Sequence, residues 1–439
     1  MSKKNAGSTA ESVPTLKRLG HRNLRVPGSK SLTARAIMLG SLGAGRTVLK
    51  NPLKCDDTNV LAAAFSKVGV GVKWSPNKLI LHGVDGKPPH GASVNLGIGG
   101  TPSRFMIAAG ALAKTPVTVD GDGQLRTRPI GELLQLMQSL GASFDRDTLP
   151  IQVDGSQFHG AELDVPVTKS SQFISALLLI APFIDGGITL NCKTPVTSST
   201  YIDLTVHILR TFGVDVVETE LGEVRSISVP QTRVTHRELE IEPDASSAIY
   251  FAAVAALHDG LSVTLEGLKL DSIQPDMEAI RLLGTIGAEV VEVESGIKVT
   301  GTGTIKSFGD LDASGFPDAS LCLASVAAFA DSPSRIYGLE TLPLKESDRI
   351  EVMARSLAKV GCGVASSDTD IRITPLQQNT KVKTSTAIDP IDDHRIAMAM
   401  AVVGTKRGGV SIVNPKCVSK SYPSFWTELR KVYEGHNVS

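Results

Sequence analysis

No C-x-x-C pair occurs in this chain, and its five cysteines (Cys55, Cys192, Cys322, Cys362 and Cys417) are odd in number and far apart. A disulfide framework and a zinc site are therefore not expected, and the compartment is expected to be reducing. Charge of one sign is missing too. Forty-five basic residues meet forty-five acidic ones, so no overall field draws the chain to nucleic acid or to a membrane. The most apolar run, "FISALLLIAPFIDGGITL", is broken by Pro182 and Asp185 before it spans a bilayer, and reads as a buried helix followed by a strand. The start, "MSKKNAGSTAESVPTLKRLG", lacks the apolar core of a secretion signal. Residues 1–15 are expected to form a mobile tail, and the protein to be cytoplasmic.

A nucleotide loop is absent as well, although "VPGSKSLTARAIMLGSLGAG" (Val26 to Gly45) looks like one at first sight. The phosphate-wrapping loop needs G-x-x-x-x-G-K-[ST]. Here Ser29 precedes Lys30, and Leu24 stands where the first Gly belongs. What survives is a site for some other anion at a helix start, where Ser29, Lys30 and Ser31 meet orphan N–H groups.

What is present is repetition. Five segments end a helix on an apolar residue plus Gly and then turn into a strand: "AFSKVGVGV", "LMQSLGASF", "LRTFGVDVV", "LGTIGAEVV" and "LAKVGCGVA". Their glycines, Gly69, Gly141, Gly213, Gly287 and Gly361, are spaced by 72, 72, 74 and 74 residues. A sixth helix, "FWTELRKVY", fits the period but has no strand after it. The expectation is that "NLRVPG" supplies that strand from the other end of the chain.

A second series interleaves with the first. Six alanine-rich segments each follow a polar cluster and precede a β-branched strand, beginning at "GSKSLTAR", "GGTPSRF", "KSSQF", "PDASSAIYF", "FPDASLCL" and "DDHRIAMAM". Two helices and several strands per repeat make an α/β fold, with the alanine-rich helices apolar nearly all round and therefore buried. Their starts carry Ser29, Lys30 and Ser31; Thr101 and Arg104; Ser170, Ser171 and Gln172; Asp244, Ser246 and Ser247; Asp318; and Asp393, His394 and Arg395. Capping accounts for Asp244, Ser246 and Ser247, at about 1 kcal/mol for a cap. It does not account for Lys30, Arg104, His394 and Arg395, because a cation opposes the dipole at a helix N-terminus. Cations there point to a compensating anion, and to a ligand with several negative charges.

The blocks "PGSKSLTAR", "GTPSRF", "TRPI", "SSQF", "PDAS", "KESDR", "DDHR" and "PKCVSKSYP", in this order from Leu24 to Tyr433, resemble the 5-enolpyruvylshikimate-3-phosphate synthase family. The resemblance implies a two-domain, inside-out α/β barrel of six βαβαββ units, its buried helices pointing their N-termini into an interdomain cleft. It places residues 16–28 and 241–439 in one domain and 29–240 in the other. It implies transfer of the enolpyruvyl group of phosphoenolpyruvate to the 5-hydroxyl of shikimate 3-phosphate, with release of phosphate, by addition and elimination through a tetrahedral intermediate. No metal or other cofactor is implied, since arginines and lysines carry the electrostatic load; a monomer is expected.

By the same resemblance, Lys30 contacts both substrates and takes part in proton transfer. Ser31, Arg35, Ser170, Ser171, Gln172, Ser198 and Tyr201 hold shikimate 3-phosphate, with Arg35 on its carboxylate and Ser170 and Ser171 on its phosphate. Asp318, Thr341 and Lys345 complete that set. Arg128, Arg349, Arg395 and Lys420 clamp phosphoenolpyruvate beside Gly100, Thr101 and Gln172; a guanidinium fork suits carboxylate and phosphate better than an ammonium. Arg349 alternatively pairs with an acid of "KESDR". Asp318 is the base toward the hydroxyl, Glu346 the acid–base partner at carbon, and His394 a donor near the phosphate or a structural histidine.

Three rivals are weighed against this. The UDP-N-acetylglucosamine enolpyruvyl transferases typically carry an Asn after the N-terminal Lys and a Cys in the loop that reads "GDGQLRTRPIGEL" here; this chain has Ser31 and no Cys in that loop. An enolpyruvyl transferase with another acceptor draws support only from Ile98 and Thr341, which replace amides usual in the family. A non-catalytic binding protein should have lost a proton-transfer residue, yet Lys30, Asp318 and Glu346 are all present. Pro102 and Phe105 are further departures, with Pro acceptable in a first helical turn. Ile98 removes hydrogen-bonding capacity beside phosphoenolpyruvate, so weakened inhibition by its mimic glyphosate is expected.

Overall fold

The computed structural model describes residues 10–16, 19–168, 170–377 and 385–434. The chain divides into two units, Gly28–Glu242 and, joined to each other, the residues up to Pro27 and those from Pro243 onward. Each unit has its own hydrophobic core.

The alanine-rich segments are the inner helices: Lys30–Leu42, Gly100–Gly110 and Ser171–Ile180 in one unit, and Ala245–Leu257, Pro317–Ala327 and His394–Arg407 in the other. Within each unit the three pack on one another. Small side chains permit this. In Ala245–Leu257 every residue except Ser246 is buried, and each large apolar side chain among them contributes about 1.5–3 kcal/mol on burial. Gly40 shows how close the helix–sheet approach is: a Cβ there would lie 2.9 Å from Leu81 and 3.0 Å from Thr47.

Outer helices run Asp56–Lys67, Gly131–Ser139, Ser199–Thr211, Met277–Thr285, Arg349–Val360 and Phe425–Glu434. The glycines that end the first five, Gly69, Gly141, Gly213, Gly287 and Gly361, have φ between 83° and 125°. This left-handed conformation, which glycine adopts without a Cβ penalty, reverses the chain into the next strand and explains the visible period.

Five sheets share one pattern, in which a short strand lies parallel to a central strand and an antiparallel pair completes the other side. In the first, Glu238–Glu240 runs parallel to Ala44–Lys50, which pairs with Lys78–Val84 and through it with Gly71–Ser75. The sheet of Leu261–Glu266 takes its parallel edge from Gly20–Leu24, in register Leu265 with Leu24. This corrects one expectation: the strand at "NLRVPG" completes the fourth repeat, not the sixth. The sixth is closed by Ala10–Val13, antiparallel to Val410–Val413, with Thr386–Ile388 parallel on the other side. That corrects a second one. Residues 10–13 of the supposed tail are a strand, whereas residues 1–9 lie outside the described part.

All five cysteines are free, and four of them are buried. The run at "FISALLLIAPFIDGGITL" forms the helix Ser171–Ile180, a short 3-10 turn and the strand Ile188–Lys193. Among the described residues no helix is long and apolar enough to cross a membrane.

Candidate active site

In the unit that contains residues 243 onward, the starts of two inner helices, Pro317–Ala327 and His394–Arg407, meet through charge. Arg349, the first residue of its outer helix and 1% exposed, is the hub. Its Nε donates to Asp393 Oδ2 at 2.7 Å, its Nη1 to Asp318 Oδ1 at 2.9 Å, and its Nη2 to Glu346 Oε2 at 2.7 Å. Asp318 is reached also by Arg395 Nη2 at 3.1 Å and Lys345 Nζ at 3.5 Å. Lys420, itself buried, donates to the other oxygen of Glu346. Four cations therefore interleave with three carboxylates, and a fourth, Asp276, stands 3.9 Å from Arg395 Nη1.

Local structure explains the placement. Asp393 caps His394–Arg407, accepting from Arg395 N at 2.9 Å. Pro317 at the first turn of Pro317–Ala327 leaves Asp318 beside the orphan N–H groups. Asp348 caps Arg349–Val360 by accepting from Glu351 N, which directs the Arg349 side chain back toward the helix start. His394 is buried, with Nδ1 3.8 Å from Asp393 Oδ1.

Burial alone would raise the Asp318 carboxyl, but Arg395, Lys345 and Arg349 outweigh it and hold it well below the usual carboxylate range. Burial would likewise favour loss of the Arg349 proton; Asp393, Glu346 and Asp318 reverse that and raise it. Asp276 goes the other way. Burial is its largest influence and pushes it up to about 6, Arg395 only partly opposing this.

The unit spanning Gly28–Glu242 is built differently. Ser29 caps Lys30–Leu42, accepting from Leu32 N, and Lys30 Nζ lies 3.0 Å from the buried Asp57 Oδ2. Arg35 is 3% exposed and ties two inner helices and an outer one together with neutral acceptors. Its Nε donates to Thr205 Oγ1 (2.8 Å), its Nη1 to Ser31 O (3.1 Å), and its Nη2 to Tyr201 O (3.1 Å) and Ser175 Oγ (3.4 Å). Burial lowers Arg35 to about 10. Ser170 caps Ser171–Ile180 by accepting from Gln172 N at 3.3 Å. Ser198 has left-handed backbone, φ 49°, at the start of Ser199–Thr211, which carries Tyr201.

Gly100 opens Gly100–Gly110 directly against Arg128: a Cβ there would lie 2.4 Å from Arg128 Nη1. Thr101 follows it, half-buried. Arg104, a suspected anion ligand at this helix start, instead donates to Gly100 O at 3.0 Å and Pro129 O at 2.9 Å, fastening the Arg128 segment to the helix.

Of the expected site residues, Asp318, Lys345, Glu346, Arg349, His394, Arg395 and Lys420 stand within the one unit, all but His394 as members of its ion-pair network. Thr341 precedes the 3-10 turn Leu342–Leu344 that leads to Lys345, with its hydroxyl buried and no hydrogen-bond partner among the described residues. The rest, from Lys30 to Tyr201, belong to the other unit. The pairing of Arg349 with an acid of its own block is found, alongside two further acids. The cations at helix starts are met by carboxylates or carbonyls of the chain itself. Asp244, Ser246 and Ser247 do not cap as expected: Asp244 stands at the cap position without a side-chain cap bond, Ser247 donates to Asp244, and Ser246 donates to Asp276. Asp57 and Asp276 were not singled out from sequence; each is an acid opening an outer helix, a pattern that capping alone predicts. Among the described residues no three His, Cys, Asp or Glu side chains are grouped as metal ligands.

Residues 18–429 match the family model described as EPSP synthase (3-phosphoshikimate 1-carboxyvinyltransferase). The chain is 36% identical over 419 residues to the 3-phosphoshikimate 1-carboxyvinyltransferase of Syntrophobacter fumaroxidans, covering 93% of this chain and 96% of that one. It is 34% identical over 409 residues to the same-named protein of Methanoculleus marisnigri, covering 92% and 94%. The structure is similar to that of the EPSP synthase of Acinetobacter baumannii, with a TM-score of 0.79 at 25% identity over 97% of this chain and 98% of that one.

Proposed function

This chain belongs to the EPSP synthase (3-phosphoshikimate 1-carboxyvinyltransferase) family, and we propose how its residues divide the work of that activity, a step of the shikimate pathway toward aromatic amino acids. Arg349, Arg395 and Lys420 take the carboxylate and phosphate of phosphoenolpyruvate, with Lys30, Gly100, Thr101, Arg128 and Gln172 completing its contacts. Ser31, Arg35, Ser170, Ser171, Gln172, Ser198 and Tyr201 take shikimate 3-phosphate, with Lys30, Asp318, Thr341 and Lys345. The protein works as a cytoplasmic monomer without metal or other cofactor.

The observation that carries this reading is Arg349, one guanidinium bridging Asp318 and Glu346 at 2.9 and 2.7 Å. Asp318 is held ionised, as a base must be, but the same cations make it a weak one. An anionic substrate beside Arg349 and Arg395 screens part of their field and raises the proton affinity of Asp318 toward what abstraction needs. The 5-hydroxyl oxygen then bonds to C2 of phosphoenolpyruvate while its proton passes to Asp318. Lys30, as the ammonium, gives up a proton that Glu346 relays to the methylene carbon, which becomes a methyl group. Elimination reverses the carbon step: the methyl returns a proton, phosphate leaves C2 with His394 donating to it, and the enol ether remains. Fixed cations around the developing phosphate dianion supply the electrostatic stabilisation.

The test is phosphate release from phosphoenolpyruvate with and without shikimate 3-phosphate. Release that needs shikimate 3-phosphate and disappears in Lys30→Met is expected. Release without it, or binding of shikimate 3-phosphate with no release, overturns the assignment.

A further inference from the structure

Asp276 lies outside every block that carries the resemblance. Its segment is fastened to the head of the inner helix Ala245–Leu257 by Gln274, whose Nε2 donates to Pro243 O (2.7 Å) and whose Oε1 accepts from Ala245 N (3.1 Å). Asp276 stands at the start of Met277–Thr285 but makes no side-chain cap bond there, so its carboxylate is not spent on its own helix. It is 1% exposed. Oδ2 accepts from Ser246 Oγ and faces Arg395 Nη1 at 3.9 Å; Oδ1 is buried with no hydrogen-bond partner among the described residues. A carboxylate so placed is costly, and capping does not explain it.

We propose that Asp276 is a positioning residue for Arg395, holding one arm of the guanidinium so that the fork is shared between Asp276 and Asp318 and stays presented to the anionic donor substrate. This rests on reading Arg395 as a phosphoenolpyruvate ligand. Arg395 Nη2 meets Asp318 at 3.1 Å while Nη1 is turned to Asp276. Remove the charge at Asp276, and Asp318 pulls on the fork without that counterweight; the fork shifts toward it and away from the substrate. The charged and titratable groups facing Asp276 are Asp244 at the head of Ala245–Leu257, Asp318 and Cys322 on Pro317–Ala327, and Arg395 on His394–Arg407. Burial and the two acids favour the neutral carboxyl, Arg395 and Ser246 the charged one, and it titrates at about 6.

The unaltered chain and Asp276→Asn are compared in phosphate release at about pH 5 and about pH 7.5, on either side of that titration. The expected results are a KM for phosphoenolpyruvate raised about tenfold in Asp276→Asn at the higher pH, and an unchanged KM for shikimate 3-phosphate. The unaltered chain loses more donor affinity on acidification than the variant, in which only the titration of the substrate's own phosphate remains, while Asp276→Glu restores both affinity and the larger pH dependence. Thermal unfolding of Asp276→Asn at the higher pH is expected at an equal or higher temperature, opposite to a merely structural role. An unchanged KM with the acid limb retained, or both KM values and kcat impaired together with a lower unfolding temperature, overturns the proposal. Should Asp276→Asn not fold, Ser246→Ala decides: loss of a bond to the ionised form moves the acid limb to higher pH, and an unmoved limb overturns the proposal. If the unaltered chain shows no turnover, the functional reading fails first. Calorimetric titration of the unaltered chain and of Asp276→Asn with phosphoenolpyruvate at both pH values then judges Asp276, and binding that is absent in both, or a pH dependence alike in the two, overturns the proposal.

Discussion

Arg349 and Arg35 are both buried helical arginines, one in each unit, and their surroundings are opposite. Arg349 faces three carboxylates, which overcome its burial and raise its pKa. Arg35 is bonded to hydroxyls and carbonyls, and burial lowers it to about 10. Hydrogen bonds to neutral acceptors fix a guanidinium in place without cancelling its charge. Under the proposed roles the difference makes two kinds of site. Around Arg349 the chain supplies its own anions, which on that proposal share their cations with an incoming carboxylate and phosphate. Around Arg35 the charge stays uncompensated, so an anion arriving through space finds a full attraction in a low-dielectric setting.

The sharpest way to break this comparison is Arg349→Met. It leaves Asp318, Glu346 and Asp393 facing one another without their common cation, and removing one partner of a buried ionic group costs about 3–5 kcal/mol. Urea unfolding should show a loss of that order, with turnover gone; a variant as stable as the parent would mean that the network is not stabilising. Arg35→Lys is the milder counterpart. An ammonium cannot span Thr205, Ser31 and Tyr201 as a fork does, and losing neutral-acceptor bonds of about 1 kcal/mol each gives about 1–3 kcal/mol. Equal losses in the two variants would erase the distinction between the units.

Acid response separates the carboxylates in the same way. The folded value of Asp318 is depressed, so its contribution is complete above the unfolded carboxylate pKa and lost only as pH falls through a value well below it. Asp276 has the opposite sign. Its folded value is raised to about 6, so stability is lost as pH rises from the unfolded value of about 4 to about 6 and stays lost above it. In Asp276→Asn that loss is absent, which is why its unfolding temperature is expected not to fall.

Much of this was legible before any coordinates. The 72- to 74-residue period shows because five helix ends need a left-handed residue, and glycine fills it each time. The inner helices show because three helices packed together demand small side chains along their whole length. The closing strand did not show. Ala10–Val13 is four residues long, with one side chain buried, and its pairing with Val410–Val413 joins opposite ends of the chain. Asp57 and Asp276 were illegible for a related reason: an acid opening a helix is what capping predicts anyway, and only the fold brings these two within reach of Lys30 and Arg395. Arg104 misled for the same reason, since its carbonyl partner Pro129 lies 25 residues on.

The smallest expected effect tests Ile98, a departure that the proposed roles put beside the donor substrate. Ile98 is half-buried just before Gly99, the cap of Gly100–Gly110, and that cap supplies no side-chain bond. An amide at this position adds a donor close to where Gly100 and Arg128 meet, without adding charge, so it acts on the anion but not on the ion-pair network of the other unit. One extra hydrogen bond is worth about 1 kcal/mol, or about fivefold in affinity. Ile98→Asn should therefore lower KM for phosphoenolpyruvate by about that factor and strengthen inhibition by glyphosate in parallel, leaving kcat and the KM for shikimate 3-phosphate alone. Parallel movement of donor and mimic would show that position 98 reads the anion they share. Movement of the mimic alone would place the effect in shape, because glyphosate is the longer of the two along its backbone and the β-branched isoleucine limits room rather than bonding.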